Sequence, residues 1–176
     1  MTIRRGTLAD VPQIVSIYDR ILTQEEGGRT ATGWIRGVYP TRRTALDALN
    51  AGTLFVLERD GEVVAAAKID QTQVPEYSNA QWEFLDVSPE QVMVLHTLVV
   101  DPLLAGKGYG TEFVRFYESY ALEQGCPYLR MDTNARNAAA RRLYARLGYR
   151  EAGIVPCVFN GIPDVQLVCL EKKLEV

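Results

Sequence analysis

The sequence predicts one α/β domain over residues 1–176, and three observations carry that prediction. A length of 176 residues suits one hydrophobic core better than two. Apolar residues make up 47% of the chain and charged residues 23%, a balance that supports a sizeable core and argues against disorder. Segments with helical spacing and segments with strand character occur along the whole chain, which is typical of a sheet covered by helices.

Apolar residues at helical spacing predict four helices. Thr7 and Asp10 form a capping pair before the first helix, and Thr41 caps the second. Gly125 and Gly148 follow the third and fourth helices and end them. The predicted helices cover about 8–24, 41–49, 108–124 and 137–147.

Alternating and continuous apolar runs predict seven strands. The segment from Val92 to Val100 is apolar on both faces apart from His96 and Thr97, which is the pattern of a central strand covered on both sides. Residues 71–90 form the longest irregular stretch, and long loops inside compact domains often bind ligands. The predicted strands cover about 3–5, 54–58, 63–69, 92–100, 128–133, 149–159 and 164–173.

Charge and composition narrow the class of partner. A net charge of -3 argues against a nucleic-acid-binding protein, which usually carries a basic excess. No apolar run reaches the ~20 residues of a membrane span, and no signal peptide is visible. The three cysteines lack metal-ligand spacing and are interpreted as reduced thiols of a cytoplasmic protein. A single histidine excludes a multi-histidine site, so we expect no metal.

A glycine-rich segment, Gly106-Lys107-Gly108-Tyr109-Gly110, joins the predicted central strand to the third helix. Glycine lets backbone N–H groups approach a ligand closely, and a helix N-terminus attracts phosphate oxygens. The segment therefore predicts a pyrophosphate site, with a turn that binds no ligand as the alternative. The P-loop pattern is absent. The spacing G-x-G-x-G also disfavours a dinucleotide-binding fold.

Three segments together resemble the GCN5-related N-acetyltransferase (GNAT) family. They are His96 to Pro102, Gly106 to Gly110, and Asn137 to Ala140 followed by Leu143 to Tyr149. One position departs from the family pattern, because Ala105 stands where the family's acyl-CoA loop usually begins with Arg or Gln. The resemblance covers almost the whole chain. It implies a GNAT-like acyl-CoA N-acyltransferase fold of the α/β (α+β) class, with a central, mixed, mostly antiparallel sheet of about seven strands flanked by about four helices.

The resemblance also implies an activity. It implies an enzyme that transfers the acetyl group of acetyl-CoA to a primary amine of a small molecule or peptide, by direct attack in a ternary complex. The family match assigns cofactor binding to Leu98, Val99, Val100, Gly106, Lys107, Gly108, Tyr109, Gly110, Thr111, Asn137 and Tyr144. A non-catalytic acyl-CoA-binding regulatory or sensor domain is the alternative, and the resemblance leaves a homodimer open.

Amine acetylation needs a base and an acid. An alkyl ammonium has a pKa near 10.4 and must lose a proton before it attacks. The resemblance places Tyr144 beside the sulfur as general acid, with a packed core aromatic as the alternative. Two residues remain candidates for the general base. His96 has a suitable ordinary pKa, but a lone histidine in a strand is more often a hydrogen-bonded structural residue. Asp132 is the second, unless it caps a loop or pairs with Arg130 or Arg136.

Several loop residues remain open in the same way. Glu83 is a third candidate base, and Trp34, Tyr39 and Tyr77 are candidates for the lining of an acceptor pocket. Asn137 is explained by cofactor contact or by simple helix capping, and the two are compatible. A polyamine, an antibiotic, an amino acid and a peptide N-terminus all remain open as acceptor.

Overall fold

The computed structural model describes residues 1–176 and contains one seven-stranded sheet and four α-helices. A 3₁₀ turn at Leu8–Asp10 stands where the sequence predicts the first helical turn. The strands β1 to β7, in chain order, are Thr2–Arg5, Leu54–Arg59, Glu62–Asp70, Val92–Val100, Tyr128–Asn134, Arg150–Phe159 and Ile162–Lys173. The helices α1 to α4 are Val11–Glu26, Arg42–Asn50, Tyr109–Glu123 and Ala138–Arg146.

The sheet is mixed and mostly antiparallel, with the strand order β1-β2-β3-β4-β5-β7-β6. Only β4 and β5 run parallel, and they pair over just three residue pairs, from Val92–Tyr128 to Val94–Arg130. Strand β4 continues to Val100 and β5 to Asn134 without further pairing between them. The two halves of the sheet therefore separate in the middle of the molecule.

Tyr117 of α3 lies at the point where β4 and β5 part. The side chain is fully buried. Its hydroxyl lies 2.7 Å from the carbonyl oxygen of Met93 in β4 and 3.2 Å from that of Arg130 in β5, and it donates toward both. One phenol thus connects the two strands at the last position where they still pair.

The helices cover opposite faces of the sheet. Helices α3 and α4 pack on one face with the largest hydrophobic cluster, which includes Phe113 and Tyr144. Helices α1 and α2 cover part of the other face with a second cluster. Strand residues alternate between the faces, so Met93 and Leu95 point toward α3. His96, the next residue along β4, consequently belongs to the face opposite α3.

Strand β4 departs from regular geometry at Thr97. The register between β3 and β4 shifts in this region, since Ala66 pairs with Val99 while Lys68 pairs with His96. Thr97 has a φ of +52°, which is unusual for a β-branched residue. Its hydroxyl is hydrogen-bonded to that of Tyr39. Such bulges often redirect backbone groups next to functional sites, and this one lies where the sheet opens.

The structure also bears on membrane spans, metal sites and disulfides. None of the helices combines the length and the apolar character that crossing a bilayer requires. No group of three or more His, Cys, Asp or Glu side chains is arranged to hold a metal ion. Cys126, Cys157 and Cys169 form no disulfide.

Candidate active site

A cleft of about 490 Å³ opens where β4 and β5 separate. Its walls include residues 98–100 of β4 and 132–134 of β5. On the α4 side it reaches Asn137 and Tyr144, and on the other side it reaches α1 and α2. The cleft therefore passes through the sheet and brings together groups from both of its faces.

The edge of β4 that faces β5 has no strand partner beyond Val94. Backbone N–H and C=O groups require hydrogen-bond partners, so such an edge can pair with an extended ligand. Leu98, Val99 and Val100, which the sequence predicts to contact a pantetheine arm, lie in this stretch and line the cleft. Their position suits that predicted role.

Six consecutive backbone N–H groups, from Gly106 to Thr111, donate no hydrogen bond within the protein. Gly108 is the N-cap of α3, so the last four of these groups lie at the start of a helix. Gly106 and Gly108 both have a φ of +79°, and open space surrounds the position that a Cβ would occupy at each. Free N–H donors and the positive end of a helix dipole both favour anionic oxygens, so a diphosphate fits here.

The glycine segment lies beside the cleft and is not part of its lining. A Cβ at Gly110 would lie 3.4 Å from Leu143 of α4 and 3.8 Å from Val100 of β4, so the start of α3 packs against both. The Tyr109 side chain is buried and its hydroxyl bonds to Arg59, which leaves only its backbone N–H available. One ligand can therefore reach the open edge of β4 and the free N–H groups together.

Helix α4 presents two predicted site residues to the cleft, as their seven-residue spacing predicts. The Asn137 Oδ1 accepts a hydrogen bond from the Ala140 N–H at 3.1 Å, so the helix-cap interpretation is confirmed. Tyr144 is 7% exposed, and its hydroxyl makes no hydrogen bond within the protein. Burial, followed by the charge of Asp132, raises the pKa of Tyr144. This phenol keeps its proton at neutral pH and can act as an acid.

Asp132 faces the cleft from β5. The Tyr77 hydroxyl donates to its Oδ2 at 2.7 Å, while Oδ1 accepts no hydrogen bond from the protein. Burial raises the pKa of Asp132 to about 6, although the Tyr77 hydrogen bond and the charge of His96 act in the opposite direction. The carboxyl is therefore mostly ionised at pH 7 and close enough to its pKa to exchange a proton.

The sequence-based alternative for Asp132 is wrong. Arg130 bonds instead to the Gln73 side chain and the Phe84 carbonyl, and it lies 4.1 Å from the centre of the Trp82 ring. Asn134, and not Asp132, caps the following loop by accepting from the Arg136 N–H. The carboxyl thus forms no salt bridge with Arg130 or with Arg136, and the basic group that influences its pKa is His96.

His96 lines the same cleft but is already engaged. Its Nε2 lies 2.8 Å from Asp70 Oδ1, and Lys68 Nζ lies 3.4 Å from Asp70 Oδ2. Burial alone would raise the pKa of Asp70, yet the hydrogen bond and charge of His96 outweigh it and lower that pKa to about 2. No sequence motif pointed to Asp70. Only the pairing of Lys68 with His96 places the end of β3 beside this histidine.

Of the four candidate residues in loops, two line the cleft and two do not. Glu83 points outward with 60% of its side chain exposed, 3.9 Å from Arg150, and does not line the cleft. Tyr77 is buried behind Asp132 and is likewise not part of the lining. Trp34 and Tyr39 do line the cleft, with ring centroids 6.0 Å apart in an edge-to-face arrangement. The sequence could not distinguish these cases because all four residues lie in irregular segments.

The titratable groups approach each other through the opening in the sheet. By strand alternation, Asp70, His96 and Asp132 lie on the face opposite α3 and α4, because their neighbours Ile69, Leu95 and Met131 belong to the cluster under those helices. Tyr144 lies on the α3–α4 face. A carboxyl and a phenol thus line one cleft from opposite faces of the sheet, an arrangement that can accept a proton on one side of a ligand and donate one on the other.

Comparison with known proteins agrees with this geometry. The model of the acetyltransferase (GNAT) family matches residues 16–149. The uncharacterised N-acetyltransferase YhfO of Bacillus subtilis strain 168 is 24% identical over 151 residues, which cover 86% of this chain and 91% of that protein. An acetyltransferase of the GNAT family from Streptococcus agalactiae 2603 superposes with a TM-score of 0.79, at 21% identity over 99% of this chain and 96% of that one.

The yncA protein of Salmonella typhimurium, solved with its cofactor acetyl-CoA, superposes with a TM-score of 0.70 at 22% identity, over 100% of this chain and 95% of that one. These superpositions confirm the predicted GNAT-like fold. The match to the family model covers 134 of the 176 residues, from within α1 to Tyr149, and it includes β4, the glycine segment and α4. The chain therefore belongs to the GNAT acetyltransferase family.

Proposed function

We propose that this chain is an acetyl-CoA-dependent N-acetyltransferase that acetylates a primary amine of a small molecule or peptide by direct attack in a ternary complex. The observation that carries the proposal is the run of free N–H groups from Gly106 to Thr111 beside the unpaired edge of β4. Together they offer what an extended ligand with a diphosphate group requires. The GNAT family uses acetyl-CoA, which has both features.

The residues that would hold acetyl-CoA follow from this arrangement. The N–H groups from Gly106 to Thr111 hold the diphosphate, and the backbone of residues 98–100 pairs with the pantetheine arm. Asn137 and Tyr144 contact the cofactor from α4. Ala105 removes one side chain that relatives commonly place at this loop, but the backbone donors do not depend on that side chain. When bound, acetyl-CoA supplies the thioester carbonyl that an amine attacks.

Asp132 is the base in this proposal. Its Oδ1 accepts no hydrogen bond from the protein and faces the cleft, and its pKa of about 6 leaves it ionised at pH 7. An ammonium is a weak acid in water, and the largely apolar surroundings of the cleft help it to release a proton. His96 is the second candidate, but its Nε2 is engaged by Asp70.

Two further groups of the chain complete the proposed mechanism. The hydroxyl of Tyr144 holds a proton on the other side of the gap, where a leaving sulfur requires one. Backbone N–H groups on the open edge of β4 stabilise negative charge on a carbonyl oxygen as the amine attacks. A sensor domain would need neither a carboxyl with a raised pKa nor an unpaired phenol in its cleft, so both groups support the enzyme over the sensor.

The same proposal keeps three expectations from the sequence. Residues 1–176 act as one catalytic domain, which is supported by the single sheet that strands from both ends of the chain complete. The enzyme works in the cytoplasm, without a metal and without nucleic acid. A homodimer stays open, and size-exclusion chromatography with light scattering decides it.

Two measurements on the whole protein test the proposal. Isothermal titration calorimetry with acetyl-CoA should show binding at one site per chain. A thiol-release assay should then show free coenzyme A only when an amine is present, in a panel of alkylamines, a polyamine, an aminoglycoside, amino acids and a peptide with a free N-terminus. Binding without release for any amine would favour the sensor, and absence of binding would overturn both.

A further inference from the structure

The acceptor side of the cleft differs in character from the cofactor side. We define the acceptor side by Trp34, Tyr39, His96, Asp132 and Phe159, which line the cleft on the face of the sheet away from α4. None of these residues belongs to the backbone arrangement assigned to acetyl-CoA above. Their side chains therefore restrict which amine can enter.

Aromatic and aliphatic groups dominate this side. Trp34 and Tyr39 meet edge to face, and the Tyr39 hydroxyl is fixed by its hydrogen bond to Thr97 in β4. Phe159 and Ile162, at the turn between β6 and β7, add further apolar surface. Aromatic walls of this kind bind an apolar or aromatic body better than a strongly hydrated one.

One carboxylate on this side forms no salt bridge. Arg43 pairs with Asp47 at 3.6 Å on the rim, and both Lys68 and His96 pair with Asp70. Asp132 is the lining acid that forms no salt bridge, although the charge of His96 lowers its pKa. One spare carboxylate complements one ammonium. A second ammonium would find no further lining carboxylate free of a salt bridge, and a carboxylate beside the amine would meet the negative charge of Asp132, while Lys68 and His96 are already bonded to Asp70.

A contact between the loop before Trp34 and the end of β5 bounds one part of the acceptor side. A Cβ at Gly33 would lie 2.5 Å from Asn134 Nδ2, so the loop before Trp34 touches the end of β5. Both residues also border a second cavity, which continues on the other side of this contact. Glu25 holds the loop in place by accepting hydrogen bonds of 2.6–3.0 Å from Thr30, Thr32 and Gly33. Gly33 and Asn134 therefore border both cavities, and their contact leaves no room for a ligand to pass between these two residues.

We propose that the acceptor is a small primary monoamine with an aromatic or apolar body. Its nitrogen lies toward Asp132, and its body packs against Trp34 and Tyr39. The inference rests on the proposed function, because it presumes that an amine receives the acetyl group. We therefore expect a higher kcat/KM for apolar monoamines than for polyamines, free amino acids or peptide N-termini.

Matched pairs of amines test the charge argument. L-Phenylalanine adds a carboxylate to 2-phenylethylamine, and 1,6-diaminohexane adds a second ammonium to hexylamine. We expect kcat/KM, measured by thiol release, to fall at least about tenfold with each added charge, because the cleft must then hold an unpaired ion. A pentapeptide with an N-terminal phenylalanine should be poorer still. The inference would be overturned if kcat/KM for L-phenylalanine, 1,6-diaminohexane or the pentapeptide equalled or exceeded that of the matching monoamine.

A variant tests the aromatic wall. Trp34→Ala should lower kcat/KM for 2-phenylethylamine about tenfold, since it removes a ring that the body contacts. The same variant should lower kcat/KM for ethylamine by a smaller factor, because ethylamine has less apolar surface to contact this ring. Leu85→Ala, at an exposed position outside the cleft, is the control. Equal losses for both amines, with unchanged affinity for acetyl-CoA, would contradict a role for Trp34 in recognising the body.

Failure of the inference and failure of the proposed function are distinguishable. If a polyamine, amino acid or peptide is the best acceptor, the acetyltransferase proposal stands and the acceptor class is wrong. If no amine releases coenzyme A, the acetyltransferase proposal fails. Calorimetry with each amine, in the presence of saturating coenzyme A, then still tests the acceptor side. Tighter binding of 2-phenylethylamine than of L-phenylalanine or spermidine supports the inference, and the reverse order overturns it.

Discussion

The two sides of the cleft use different parts of the polypeptide. In the proposed function, the cofactor side depends on the main chain, through the free N–H groups from Gly106 to Thr111 and the open edge of β4. The acceptor side depends on side chains, such as Asp132, Trp34 and Tyr39, which come from distant parts of the sequence. A main-chain site tolerates many substitutions as long as its backbone angles persist. A side-chain site changes with every residue, so the acceptor can differ between relatives that share one cofactor.

The largest expected effect tests the main-chain side. Gly108→Asp places a carboxylate in the open space among the free N–H groups, where it would repel a diphosphate. We expect the affinity for acetyl-CoA, measured by calorimetry, to fall at least about 100-fold.

Gly61→Asp is the matched control for this variant. Gly61 has a φ of +81°, close to that of Gly108, and open space around its Cβ position, but it lies in the hairpin turn between β2 and β3. The backbone strain is therefore similar in both variants. Equal affinity in Gly108→Asp and the wild type would remove the glycine segment from cofactor binding.

The next largest effect tests the base on the side-chain side. Asp132→Asn keeps the shape of the side chain but cannot accept a proton, so kcat/KM should fall about 100-fold or more. Acetyl-CoA affinity should stay within about twofold of the wild type, because the cofactor side is built from other groups. Asp60→Asn, at an exposed turn, controls for the loss of one negative charge. Full activity of Asp132→Asn would exclude Asp132 as the base.

Tyr144 joins the two sides, and its removal should have an intermediate effect. Tyr144→Phe deletes only the unpaired hydroxyl, so kcat should fall about tenfold or more while acetyl-CoA affinity is nearly unchanged. Tyr149→Phe is the control, because that ring packs 6.0 Å from Tyr144 but its hydroxyl bonds to Glu118 outside the cleft. Turnover of Tyr144→Phe equal to that of the wild type would leave Tyr144 as a packing residue.

The smallest expected effect is a displacement of the pH profile. Asp132 must be ionised to accept a proton, so kcat/KM should rise with pH around its pKa of about 6. The charge of His96 and the Tyr77 hydrogen bond both lower this pKa, while burial and Glu76 raise it. His96→Gln and Tyr77→Phe should therefore each move the rise to higher pH.

The same profiles decide between the two candidate bases. If Asp132 is the base, the rise disappears in Asp132→Asn and is only displaced in His96→Gln. If the rise instead disappears in His96→Gln and persists in Asp132→Asn, His96 is the base and Asp70 fixes its orientation.

The fold and the free N–H groups of the glycine segment could be predicted from local sequence signals. Strand alternation and helical spacing placed all seven strands and four helices, because those periodicities reflect which face of each element is buried. The glycine spacing placed the free N–H groups, since only the order of residues along one segment matters there. Asn137 and Tyr144 share a helix, so their common orientation follows from their spacing alone.

The acceptor side could be predicted only in part, for a physical reason. Its contacts join residues far apart in sequence, such as Tyr77 with Asp132 and Tyr39 with Thr97. No periodicity signals such contacts. The pairing of Asp70 with His96 depends on the register of β3 against β4, which a bulge shifts. Threonine disfavours a positive φ, so residue type gave no hint of the conformation at Thr97.

Tyr117 holds β4 and β5 together at the point where the sheet opens. Its hydroxyl contacts both strands at the last pair before they diverge, and its ring is enclosed by the core. The opening between β4 and β5 is therefore formed when the protein folds, because this buried contact fixes where the two strands part. A substrate that enters this preformed opening loses conformational and rotational freedom when it binds, but it requires little reorganisation of the protein.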